Sequence, residues 1–316
     1  MPHEGGEPYT DRMMSRRGRC CAVGMVVAVT LPLAVACDSG GSGSSGSSGG
    51  IHSTTASGSP GPITVEVNQS RDQYGKQAIQ LQLTNTTDSP LTVTSARLQS
   101  RLFEGDISWE SSGGGLELPP RQPKSLPAAL PAANCEASTD ESTELSVRIN
   151  YSAADTAPVE ENTSASDPFG VLPRNASELC IASEAAAIAT MVLDPVLEVA
   201  ADGRTAVVRL VISPATPGSD VPSLTIESFE ETTLLAQSSA APWPVNVTVG
   251  AAQQELPLTI RPARCDPHAV AEDKVGTLLP LRVVIGDRKG LLKIAASNDL
   301  RGRIYDFVTA ACAPAG

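Results

Sequence analysis

The sequence predicts a mainly β protein: tandem duplicated β-sandwich domains of immunoglobulin-like type, each closing on a short C-terminal helix or turn. Three observations predict it: runs of alternating apolar residues, an internal repeat near 130 residues, and four late cysteines shared evenly between the two copies. Aromatic residues make up only 3% of the chain, so the cores must be built from Val, Leu, Ile and Ala.

The first segment is not part of either sandwich. Arg12, Arg16, Arg17 and Arg19 precede an apolar stretch over residues 20–36, which together form the n-region and h-region of an export signal. That stretch closes on Leu33-Ala34-Val35-Ala36-Cys37, small residues before a cysteine, in the pattern of a bacterial lipobox. Residues 1–36 are therefore assigned to a lipoprotein signal peptide and Cys37 to lipidation, with diacylglycerol on its sulfur. The competing reading is an uncleaved anchor. Seventeen residues broken by Pro32 lie at the lower edge of the roughly 17–25 that span a bilayer. Residues 37–62 are Gly/Ser-rich and predict a disordered tether with a reach of roughly 25–30 Å.

The repeat assigns residues 63–188 to a first copy and 189–316 to a second. Gly75-Lys76 answers Gly203-Arg204, and Ile79, Leu81, Leu83 answer Val208, Leu210, Ile212. Leu91-Thr92-Val93-x-Ser95 matches Leu224-Thr225-Ile226-x-Ser228. Trp109 and Trp243 precede their cysteines by 26 and 22 residues. Asp167, Gly170, Leu172 and Cys180 each stand 132 residues before Asp299, Gly302, Ile304 and Cys312. Each copy owns two cysteines, which predicts the pairings Cys135–Cys180 and Cys265–Cys312 in an oxidising compartment. By loop entropy each closure stabilises its domain by at most roughly 4 kcal/mol.

Period-2 alternation places strands at Ile63-x-Val65-x-Val67, Leu81-x-Leu83, Leu91-x-Val93 and Val147-x-Ile149, and in the second copy over 196–199, 205–212, 224–229, 245–249 and 281–285. Ser297-Asn298-Asp299, followed by Leu300, Ile304, Phe307, Val308 and Ala311, reads as a capped amphipathic helix ending at Cys312. Its first-copy counterpart carries Pro173, which predicts a less regular segment. The polar, acidic stretch 153–168 is expected to be a surface loop.

Charge narrows the possible partners. The leader removes four arginines and the acids Glu4, Glu7 and Asp11, leaving 19 basic and 32 acidic residues where the whole chain has 23 and 35. A net charge of −13 on that mature chain argues against nucleic acid, because phosphate binding needs clustered Lys and Arg. Metal chemistry finds little support either, since no two of the remaining cysteines have CxxC spacing and His52 lies in the tether. Hence no metal and no cofactor is expected.

The densest polar cluster runs from Cys265-Asp266-Pro267-His268 to Glu272-Asp273-Lys274. With Asp266 capping and Pro267 opening a short helix, His268 and Glu272 share one face at i and i+4. Arg301 and Arg303 form the polar face of the last helix. These four residues are the candidate contacts for a protein partner. No nucleophile elbow, P-loop or dinucleotide fingerprint occurs, and no catalytic residue is assigned.

The run Arg264-Cys265-Asp266-Pro267-His268 through Glu272-Asp273-Lys274-x-Gly276, with Leu300-Arg301-Gly302-Arg303 to Cys312, is similar to uncharacterised secreted or lipid-anchored proteins of high-GC Gram-positive bacteria. The resemblance covers residues 190–316 best and implies no activity. The expected function is a non-enzymatic cell-envelope lipoprotein, fixed to the plasma membrane through its lipid, whose paired sandwiches bind a ligand, the wall or a protein partner. The alternative is an extracytoplasmic hydrolase with a carboxylate-based site. Radiolabelled palmitate is expected to enter the wild type and not Cys37→Ala, and equal labelling of both would remove the anchor from this account.

Overall fold

In the computed structural model the described residues are 61–137, 144–154, 156–215, 222–266 and 268–313. The signal, Cys37 and the tether, apart from residues 61 and 62, lie outside them, as does Pro267.

The first sandwich comprises β1 (Ile63–Asn68), β2 (Ala78–Asn85), β3 (Leu91–Gln99), β4 (Ile107–Glu110), β5 (Leu116–Leu118), β6 (Pro123–Ala129), β7 (Leu145–Ala153) and β8 (Val159–Ser166), followed by α1 (Val171–Ile188). The second comprises β9 (Ala189–Leu193), β10 (Glu198–Val199), β11 (Ala206–Pro214), β12 (Leu224–Phe229), β13 (Leu235–Gln237), β14 (Val247–Thr248), β15 (Gln254–Pro262), α2 (His268–Ala271), β16 (Leu278–Ile285), β17 (Arg288–Ala295) and α3 (Asn298–Ala311).

Alternation in the sequence becomes alternation in burial. Along β2, Ile79, Leu81 and Leu83 point inward and are at most 1% exposed, while Gln80 and Gln82 face outward. Along β11, Ala206, Val208, Leu210 and Ile212 do the same. In the second sandwich one sheet runs β10-β11-β15-β13, with β9 also on β11, and the other runs β14-β12-β16-β17. In the first, the corresponding layers are β1-β2-β6 and β4-β3-β7-β8, with β5 also on β3. The chain crosses between layers from β2 to β3 and from β6 to β7, as it does from β11 to β12 and from β15 to β16; the pairings β2–β6 and β3–β7, matched by β11–β15 and β12–β16, are those of an immunoglobulin-like sandwich.

The repeat motif read from the sequence has a structural meaning. In both copies the ladder slips by one residue inside it, between Val93 and Ser95 on β3 and between Ile226 and Ser228 on β12. Thr94 and Glu227 are the extra residues of two equivalent β-bulges, which add twist where the strand pairs with its neighbour.

The two copies close one edge differently. In the first, β8 pairs in parallel with β1 through Val65↔Ala165 and Glu66↔Ser166, joining both layers into one eight-stranded sheet folded over a single core. The expected loop at 153–168 is thus corrected: its second half is a strand on β7. Its inward positions are Glu161, Thr163 and Ala165, so no apolar alternation announced it. Tyr151 on β7 donates to Glu161 at 2.8 Å, and partial burial together with that carboxylate raises the phenol to about 12. In the second sandwich β17 pairs, among the described residues, only with β16, and α1 lies against it instead.

Helix α1 corrects a second expectation. Pro173 does not disorder its segment; α1 is an 18-residue helix, longer than the 14-residue α3. Pro173 falls in the first turn, where backbone N–H groups have no intrahelical acceptor, so nothing is lost. Gly170 enters with φ +58, the left-handed region open to glycine. Both oxygens of Asp167 accept from the helix start, from Val171 and Leu172 N at 2.8 Å each. In α3 the cap is Ser297, whose hydroxyl accepts from Leu300 N at 3.2 Å, as its sequence predicts.

The two halves of α1 belong to different cores. Val171, Leu172 and Ala176 pack with the first sandwich, while Ile181 and Ala185 pack with the second. Ile181 is fully buried, and a Cβ on Gly290 of β17 would stand 2.5 Å from its Cγ1. Glycine here serves close approach of strand and helix. Gly290→Val is expected to destabilise the protein by about 1–3 kcal/mol in urea unfolding; an unchanged midpoint would mean that α1 does not press on β17.

Candidate functional site

Both predicted cysteine pairings are present and equivalent in the repeat. Cys135–Cys180 ties the segment after β6 to α1, and Cys265–Cys312 ties the segment after β15 to the end of α3, with Cα separations of 5.5 and 5.2 Å. Cys180 is buried near the middle of α1, where the helix passes from one core to the other.

Residues predicted as partner contacts sit on α2, on the turn after it and on α3 of the second sandwich. His268 Nδ1 lies 3.6 Å from Glu272 Oε1 across one turn, with both side chains more than 70% exposed. The backbone N of His268 donates to Asp266 at 3.0 Å, so the cap expected of Asp266 is formed. Arg301 donates to Asn298 at 2.8 Å, and Arg301 and Arg303 are exposed on α3. Tyr305 joins the two elements by donating to Asp273 at 3.0 Å, while Asp273 accepts from Gly276 N at 2.7 Å. Burial first, and the Asp273 charge second, raise the Tyr305 phenol above its usual range. The cluster fastens a loop to a helix. Exposed pairs of this kind contribute about 0–1 kcal/mol.

A cavity does lie where the sandwiches meet. A cleft of about 360 Å³ is lined by α1, by the turn before β2, by the loop after β12, and by β16 and β17. Leu278, Pro280, Leu291 and Val275 supply its apolar surface. Two cations lie against the Tyr74 ring, the Arg174 guanidinium 5.3 Å and the Lys293 ammonium 5.2 Å from its centre.

The charges around Tyr74 are positioned by α1. Lys293 Nζ lies 2.6 Å from Glu178 Oε2, and about four-fifths of each side chain is buried. One turn earlier Arg174 donates through Nη2 to Gln69 Oε1 at 2.7 Å. Gln69 also exchanges side-chain amide bonds with Asn175, both at 3.1 Å, and donates to Ala78 O at 2.8 Å. That network fixes the angle at which α1 leaves the first sandwich. A second bridge, Arg288 Nε to Glu184 at 3.1 Å, and the bond from Arg288 Nη2 to Cys135 O at 3.2 Å hold the opposite side. Glu231 lines the cleft, and its Oε1 accepts from Gln237 N at 3.1 Å.

Sequence reasoning did not find this site, because its residues are scattered from Tyr74 to Lys293 with no short motif. One signal was present: Gly290 inside a strand pattern marks a close approach of backbone. A broader, open groove of about 870 Å³ borders Cys135, between Leu130, Asn134 and Leu179, with Glu104 and Glu136 at its edge. Among the described residues no group of three or more His, Cys, Asp or Glu is placed to hold a metal ion.

No family model matches the chain, and no curated protein matches it. Among solved structures the YadV chaperone is 12% identical, over 74% of this chain and 100% of the other, with a TM-score of 0.21. The periplasmic chaperone SfaE is 15% identical over the same shares, with a TM-score of 0.20. An exo-chitosanase of Amycolatopsis orientalis is 12% identical over 74% of this chain and 26% of the other, with a TM-score of 0.19. At such scores the likenesses carry no argument about function.

The Lys293–Glu178 pair permits a direct test of the contact between the sandwiches. Lys293→Met and Glu178→Gln are each expected to cost about 1–3 kcal/mol, with about 1–2 kcal/mol of coupling in the double-mutant cycle. Strictly additive losses would show that the pair does not bridge the two sandwiches in solution.

Proposed function

We propose that the chain is a non-enzymatic, lipid-anchored protein of the bacterial cell envelope, which uses its paired sandwiches to bind a ligand or partner. The observation that carries the reading is the cleft between the sandwiches, because α1 sets its width by packing into both cores. Clefts at domain junctions, apolar with a few placed polar groups, are the usual form of a binding site. The two disulfides suit an oxidising compartment. The lipobox at Cys37 supplies the anchor, and the Gly/Ser stretch behind it supplies the distance from the membrane.

The alternative, a hydrolase with paired carboxylates, draws on Glu178 and Glu231, the two acids lining the cleft. Each is already engaged, Glu178 with Lys293 and Glu231 with the Gln237 backbone. A general acid or base needs a carboxyl free to exchange its proton with substrate. Binding is the better reading of the same residues.

The test places a bulky side chain in the cleft. From solubilised envelopes, the wild type is expected to retain a bound component that Leu291→Trp loses, while His268→Ala with Glu272→Ala keeps it. Recovery of the same component with Leu291→Trp, or of the whole chain from cytosol with reduced thiols, would overturn the proposal.

A further inference from the structure

The cleft has an unequal distribution of charge. Lys293 is matched by Glu178 at 2.6 Å, but Arg174, one turn away on α1, has no carboxylate within bridging distance among the described residues. Its hydrogen bond goes to a neutral amide, Gln69, and its Nε is buried without a hydrogen-bond partner. A partly buried guanidinium with no counter-ion is poorly solvated, and an anion arriving with a ligand would restore the balance. Beside it stands apolar wall: Leu278, Pro280, Leu291 and Val275.

We infer that the cleft binds a small organic acid, a carboxylate carried on an aromatic or aliphatic body, with Arg174 as the anion partner and the β16–β17 wall receiving the body. This inference rests on the binding role proposed above and names the ligand class for the same cleft. The chemistry follows from the residues. A planar guanidinium matches a carboxylate in shape as well as charge, with two parallel N–H donors for two oxygens. Glu178 and Glu231 repel a second negative charge, so the site selects monoanions over polyanions. The apolar wall gives a bare inorganic anion nothing to cover. At about 360 Å³ the cleft falls within the usual range of small-molecule sites, about 300–1,000 Å³. Tyr74 presents a ring already polarised by two cations and closes the site from the first sandwich.

Isothermal titration of the full-length protein with 3-phenylpropanoate and with 3-phenylpropan-1-ol decides the matter, since the two differ in charge and share the apolar body. The acid is expected to bind at least about ten-fold more tightly than the alcohol. Arg174→Met is expected to abolish that preference, and Leu291→Trp to remove binding of both. Equal affinity for acid and alcohol, binding of neither, or a preference that survives Arg174→Met would overturn the inference. The comparison on the wild type stands even where a variant fails to fold. Failure here leaves the envelope-binding reading intact if Leu291→Trp still releases its component from solubilised envelopes.

Discussion

An amphipathic helix normally has one core to bury its stripe against, and α1 has two. Its first two turns place Val171, Leu172 and Ala176 in the first sandwich, and its later turns place Ile181 and Ala185 in the second. Between them sits Cys180, bonded to Cys135. The orientation of the two sandwiches is therefore fixed by packing on one rigid element rather than by a linker. Burying Ile181 and Ala185 also covers β17, the edge that the first sandwich closes with a parallel strand. Remove that packing, and both the cleft and the coverage of the edge are lost together.

The polar contacts at the junction follow from this. Glu178 and Glu184 face Lys293 and Arg288 because α1 runs along β17, and Arg174 reaches Tyr74 because the Gln69–Asn175 amides set where the helix starts. The Lys293–Glu178 pair is about four-fifths buried, so losing either partner leaves the other stranded, whereas the Arg288 side chain of the second pair is 45% exposed and screened by water. The His268–Glu272 pair, at more than 70% exposure, is likewise screened by water and orders little beyond its own turn.

Much of the fold was legible because burial imposes a period. Ile79, Leu81 and Leu83 declare β2, and Leu300, Ile304, Phe307 and Val308 declare α3, since one face of each must leave water. Duplication made the disulfides legible, and it carried the bulge at Thr94 and Glu227 without revealing what the shared motif was for. Where hydrogen bonding rather than apolar burial holds an element, the pattern is silent. β8 is such a strand, with Glu161 and Thr163 at inward positions. Pro173 misled because its effect depends on its place in the helix, and that place is set by Asp167 and Gly170 three to six residues earlier. The cleft was illegible for a different reason. It is built by the meeting of two domains, and nothing local in either copy encodes the meeting.

The central claim is that one helix, shared between two cores, makes the two sandwiches a single cooperative unit. Differential scanning calorimetry of the full-length protein tests it most directly. A single transition is expected, with calorimetric and van't Hoff enthalpies equal. Two resolved transitions, or a calorimetric enthalpy about twice the van't Hoff value, would show that the sandwiches melt independently and would contradict it.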